Sequence, residues 1–129
     1  MSDPRQVIVV DAANVIGAKA DGWWRDRAGA ARRLLAGIAE WTTRLPESTE
    51  VAVVLEGAAK AAVDGTEPSA PRMTVILAER SGDDKIVDVV GTSEHERITV
   101  VTADRELRRR VTVLGADTAG PAWLRHELE

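Results

Sequence analysis

The stretch "VIVVDAANVIG", residues 7–17, decides how the rest of the chain is read. Val7, Ile8, Val9 and Val10 form an unbroken β-branched run, the pattern of a strand covered on both faces in a parallel sheet. The run ends on Asp11, followed by Ala12, Ala13 and Asn14. A lone acid after a strand is ordinarily a turn residue or a helix cap. Whether this one means more depends on how the other strands end.

They end alike. "EVAVVLEG", residues 50–57, reads as a second buried strand running into Glu56. "MTVILA", residues 73–78, is a third, followed by "GDDKIVDVVGTSE", whose acids open a helix carrying Ile86, Val87, Val89 and Val90. "RITVVTAD", residues 97–104, is a fourth strand feeding Asp104, and "VTVLGA", residues 111–116, a short fifth. Between the first two strands, residues 12–25 read as a loop. Residues 26–44 then carry apolar positions at helical spacing (Ala31, Leu34, Leu35, Ile38, Trp41) until Pro46 stops the helix. Ala58 to Val63 reads as a helical turn, 64–72 as a turn-rich segment, 106–110 as a short helix and "GPAWLRHELE" as a terminal helix with Pro121 in its first turn. Apolar strands alternating with helices predict an α/β fold with a largely parallel sheet. No repeat or linker divides residues 1–129, which read as one domain.

Composition narrows the functional classes. Hydrophobic residues are 44% and charged residues 29%, ordinary for a globular chain. With four Trp but no Phe or Tyr, the core has to come from Val, Leu, Ile and Ala. The absence of Cys removes disulfides and thiolate metal sites, and two His make a usual zinc site unpromising. No apolar run approaches the ~18 residues of a membrane span, and "MSDPRQ" lacks a signal-peptide pattern, so the expected location is the cytoplasm with no membrane partner. A net charge of −4 argues against nucleic acid held by a global positive field.

In an open parallel sheet the functional crevice lies beyond the carboxyl ends of the strands. Asp11, Glu56 and Asp104 are delivered there by three strands. Asp84 comes from the start of the helix after the third, with Asp83 capping that helix and Asp84 pointing into the site. Asp88, one turn on, is either a further ligand or a solvated helix position. Clustered carboxylates resist ionising together, and Mg²⁺ or Mn²⁺, which favour oxygen ligands, resolve the conflict. Such an ion suits phosphodiester hydrolysis. Asn14 is suited to orienting a carboxylate or a bound water.

With these pieces in place, the chain resembles the NYN domain family, and within it the YacP-like branch, part of the wider PIN-like nuclease fold. The resemblance rests on "VIVVDAANVIG", "VAVVLEG", "SGDDKIVDVV", "VVTADRELRRR" and the ending "LGADTAGPAWLRHELE", which follow the family's order over nearly the whole chain. It implies a Rossmann-like three-layer α/β/α sandwich with a mainly parallel central sheet, and Mg²⁺- or Mn²⁺-dependent RNA cleavage. It also implies a possible homodimer. Carried over by position, Asp11, Asp84 and Asp104 match the family's core acids with Asn14 beside the first, and Glu56 and Asp88 match positions where acids are common. The chain departs in having Ala12 and Ala13 where Gly and Tyr or Asn often stand, a change that leaves the acids intact and bears on how substrate packs near Asn14.

Removing the five candidate acids from a net charge of −4 leaves +1, so the remaining surface is near neutral, with cations close to the motifs. Lys85, Arg105, Arg108 and Arg109 are candidate RNA phosphate contacts, the alternative for "RELRRR" being a solvated helix face. Trp23 and Trp24, in a Gly-containing loop near Asn14, are expected to be one buried and one exposed, the exposed ring available to stack on a base. Trp41 and Trp123 are expected in the core. Two functional classes remain: a metal-dependent ribonuclease, and a catalytically weak RNA- or ribosome-associated binding module on the same fold. An aspartyl-nucleophile phosphotransferase would want a second acid two residues after the first, where this chain has Ala13.

Overall fold

The computed structural model describes residues 4–19 and 21–129. Five strands, β1 (Gln6–Asp11), β2 (Thr49–Leu55), β3 (Met73–Leu77), β4 (Arg97–Val101) and β5 (Asp117–Ala119), form one sheet in the order β3-β2-β1-β4-β5. Every neighbouring pair is parallel, with Ile8 opposite Val51 on one side and Thr99 on the other. β1 is central, which is why its side chains are apolar on both faces. Period-2 alternation sends Ile8 and Val10 to one face and Val7 and Val9 to the other.

Each face is closed by helices, giving three layers. On one side Val10, Val51 and Val53 pack with α1 (Ala12–Gly17), α2 (Arg27–Thr42) and α5 (Pro121–Leu128) through Val15, Leu35, Ile38, Trp41 and Leu124. On the other, Val9, Val54 and Val100 pack with α3 (Gly82–Thr92) and α4 (Arg105–Val113) through Ile86, Val90, Leu107 and Val111. Each large aliphatic buried this way is worth about 1.5–3 kcal/mol relative to exposure. No helix among the described residues is long and apolar enough to cross a membrane.

The structure corrects the sequence reading in three places. The segment after Asp11 is helical from Ala12 to Gly17, because Asp11 caps it and Ala12 and Val15 are buried. The expected strand at 111–116 is instead the end of α4: Leu107 and Val111, four residues apart, bury on one helix face and override the β-propensity of the run, leaving Val113 83% exposed. The chain then turns at Gly115, whose φ of 93° favours glycine, and β5 starts at Asp117. Finally, Trp123 is 40% exposed and meets the buried Trp41 edge-on, so it flanks the core and does not fill it.

Candidate active site

The sheet order reverses between β1 and β4, and the carboxyl ends of these two strands meet at that switch point. Asp11 closes β1, is 5% exposed, and accepts a hydrogen bond at Oδ2 from the Thr102 hydroxyl, 2.8 Å away. Its Oδ1 accepts from the backbone N–H of Asn14 at 3.3 Å. Thr102, fully buried just past β4, in turn accepts at its hydroxyl oxygen from the Asp104 N–H at 3.1 Å. Asn14 Oδ1 accepts from the Ala103 N–H at 2.8 Å. Asp104 caps α4, its Oδ1 accepting from the Leu107 N–H at 3.0 Å. Asp11, Asn14, Thr102 and Asp104 are thus one network joining the ends of two adjacent strands. Thr102 had no role in the sequence reading, although it stands in "VVTAD". A hydroxyl at a strand end, two residues before the acid, was the available signal.

Two more acids enter from the other side. Glu56 follows β2 and its Oε2 accepts from the Gly82 N–H at the start of α3. A Cβ on Gly82 would lie 2.9 Å from that oxygen, so a larger residue there would push the Glu56 carboxylate from its present position. Asp83, half-buried on α3, feels the negative charges of Asp104 and Glu56. Burial first, and those charges second, raise its pKa, with Arg110 acting against them. Asp11 is pushed up to about 6, chiefly by burial, with Asp83 and Glu56 adding to the shift and the bonds from Thr102 and Asn14 opposing it.

The sequence reading has Asp83 cap α3 and Asp84 point into the site, and neither does so. The cap of α3 is Ser81, whose hydroxyl accepts from the Asp84 N–H at 3.1 Å. Asp83 therefore stands two residues past the cap, on the second position of the helix, and is the acid coupled to the cluster. Asp84 is turned outward, its side chain 70% exposed and paired with Arg110 at 3.0 Å. Asp88 is exposed one turn further along the face of Asp84.

The expected RNA contacts also divide. Arg108 is turned inward, its Nε donating to the Thr102 carbonyl at 2.7 Å, so it ties α4 to the end of β4. Arg109 is exposed and paired with Glu106 at 3.0 Å. Arg105 is exposed and Lys85 half-buried. Trp23 is half-buried and Trp24 54% exposed, the two rings edge-to-face at 6.1 Å. The guanidinium of Arg27 lies over Trp23 at 5.4 Å and that of Arg25 over Trp24 at 5.8 Å. A cleft of about 340 Å³ opens between this cluster and Glu56. A larger cleft of about 610 Å³, lined by Lys19, Asp21, Arg33, Arg125 and Glu129 among others, includes none of the candidate acids of the site.

Among the described residues no three acidic or histidine side chains stand close enough to enclose a metal ion. The donor set still suits Mg²⁺ or Mn²⁺. It is all hard oxygen, it carries charge that burial and mutual repulsion disfavour, and Mg²⁺ commonly takes only one or two carboxylates and keeps several waters. Glu56 and Asp104 each commit one oxygen to a backbone N–H, which orients the other.

Comparison with known proteins agrees with this arrangement at the level of fold. Residues 8–129 match the family model described as the YacP-like NYN domain. Among solved structures, the chain is similar to the crystal structure of Rae1 (YacP) from Bacillus subtilis, with a TM-score of 0.75 and 20% identity, covering 95% of this chain and 74% of that one. No curated protein matches the chain.

Proposed function

The chain belongs to the YacP-like NYN domain family, a family of nuclease-type, RNA-related domains, and from that premise we propose that it is a metal-dependent ribonuclease hydrolysing RNA phosphodiesters at the switch-point carboxylates. The observation that carries the reading is Asp11, an ionisable group buried at the end of the central strand beside two further acids, with its pKa pushed up to about 6. An unpaired carboxylate there destabilises the fold, and such perturbed groups gather at functional sites. Asp11, Glu56, Asp83 and Asp104 are the residues that would hold the ion, with Asp84 and Asp88 outside the set. A bound Mg²⁺ or Mn²⁺ supplies Lewis-acid polarisation of the phosphodiester and stabilises the leaving oxygen. Asn14 fixes the β4–α4 connection through Ala103, and Thr102 holds both Asp11 and the backbone of Asp104 in register.

The second reading, a catalytically weak RNA- or ribosome-associated binding module, is favoured by the absence of a closed three-ligand cage among the described residues. One experiment separates the two. Mn²⁺ binding by calorimetry and cleavage of a labelled single-stranded RNA are measured for the native protein and for Asp11→Asn, Asp83→Asn, Asp84→Asn and Asp104→Asn. The ribonuclease reading expects losses of about 100-fold or more for Asp11, Asp83 and Asp104, the scale of removing a few kcal/mol of charge stabilisation. It expects Asp84→Asn to stay within several-fold of native. Ion binding with no cleavage by the native protein selects the binding module.

A further inference from the structure

We propose that the cleft beside the carboxylates is a subsite for one unpaired nucleotide; that the nucleotide belongs to RNA rests on the ribonuclease reading above. At about 340 Å³ the cleft lies near the lower end of the ~300–1,000 Å³ range of small-ligand sites. Its walls combine Trp23, Arg27 and Arg80 with Ala13, Gly57 and Glu56. Glu56 belongs to the acid cluster as well, its charge reaching Asp11 and Asp83, so an occupant of the cleft lies next to the carboxylates.

The lining has the chemistry of a nucleotide. The Trp23 ring and the Arg27 guanidinium over it are both planar surfaces on which a base stacks. Arg27 and Arg80 supply positive charge for a phosphate. Ala13 and Gly57 reach no further than Cβ or Cα, which leaves the space open, and the φ of 58° at Gly57 favours glycine there. Trp24, with Arg25 over it, offers a second platform edge-on to the first. A base within a duplex is stacked on both of its neighbours and has no free face to present to Trp23. An unpaired base does. The alanine at position 13, a departure from the family pattern, is on this account what opens room beside Asn14.

The test separates binding from cleavage. In EDTA, on an Asp11→Asn background, fluorescein-labelled hexauridylate is titrated by anisotropy, and a blunt RNA duplex of comparable length is titrated in parallel. Trp23→Leu and Ala13→Leu are each expected to weaken single-strand binding about 5- to 100-fold, the loss of one stacked base. Leu at position 13 keeps a strong helix former on an exposed face of α1, so this variant guards against a folding defect at Trp23. Arg97→Gln, at the opposite end of the sheet, is expected to bind like the parent, and the duplex at least about 10-fold more weakly than the single strand. Unchanged affinity in both Trp23→Leu and Ala13→Leu, or duplex binding as tight as single-strand binding, overturns the subsite. If the variants weaken as expected while native protein with Mn²⁺ cuts nothing, the subsite stands and the ribonuclease reading falls. If native protein cuts RNA while the variants bind unchanged, the reverse holds.

Discussion

Asp11 sets opposing demands on stability and function. Its carboxyl is pushed from 3.8 to about 6 by burial, so between these values the folded state holds a proton that the unfolded state has released. The contribution of this group to stability is therefore fully present below about pH 4, falls as pH rises through about 6, and stays lost above that. For so buried a side chain the loss is on the order of 2–3 kcal/mol. Asp11→Asn removes the charge and keeps the shape. In EDTA at pH 8 the variant is expected to melt on the order of 5 °C or more above the native protein, with the gap closing near pH 4. Thermal melts followed by circular dichroism across that range check it. Adding Mg²⁺ at pH 8 should raise the native melting point and not the variant's. Equal melting points at pH 8 would mean that Asp11 is not charged and unpaired in the fold.

At the scale of elements, one hydroxyl in the corner between β4 and α4 touches both Asp11 and the Asp104 backbone. Thr102→Val keeps the volume but removes both the donor to Asp11 and the acceptor for the Asp104 N–H. Outer-shell changes of this kind cost roughly 10–100-fold in metal affinity, which Mn²⁺ titration of the variant would register. Ser81→Ala, by contrast, unfastens the first turn of α3 and should cost about 1 kcal/mol in denaturant unfolding. These two elements also show where sequence reading stops. Strands β1, β2 and β4 were legible because short runs rich in β-branched residues have few alternatives, and their carboxyl ends brought Asp11, Glu56 and Asp104 with them. Which of two adjacent acids faces inward was not legible. Asp83 and Asp84 differ by 100° of helix rotation, and that phase is set by Ser81 one turn earlier, with the half-buried Arg110 of α4 drawing Asp84 outward. The end of α4 was hidden for a related reason: "VTV" favours a strand locally, and only the burial of Leu107 and Val111 against the sheet keeps it helical.

For the molecule as a whole, net charge limits how RNA can be held. The chain carries −4, and many of its arginines are already engaged within the fold. Arg32 pairs with Asp64, Arg72 donates to the carbonyls of Thr42, Leu45, Pro46 and Thr49, Arg108 to that of Thr102, and Arg110 pairs with Asp84. Near the cleft and the acids this leaves Arg27, Arg80, Arg105 and Lys85 to meet a backbone. A strand threaded past Glu56 would thus have about two or three phosphates neutralised, and each contributes about −0.7 to the slope of log affinity against log salt for single strands. The expected slope is about −1.4 to −2, measured by anisotropy with the cleavage-defective Asp11→Asn protein between about 50 and 500 mM KCl, a range that spans one decade. Arg27→Gln or Arg80→Gln should each reduce it by roughly 0.7, whereas Arg108→Gln should leave the slope in place and lower the melting temperature instead. A slope steeper than about −4 would require more cations on the RNA than this surface offers there, and would extend the interface to the larger cleft, where Lys19, Arg33 and Arg125 stand beside Asp21 and Glu129.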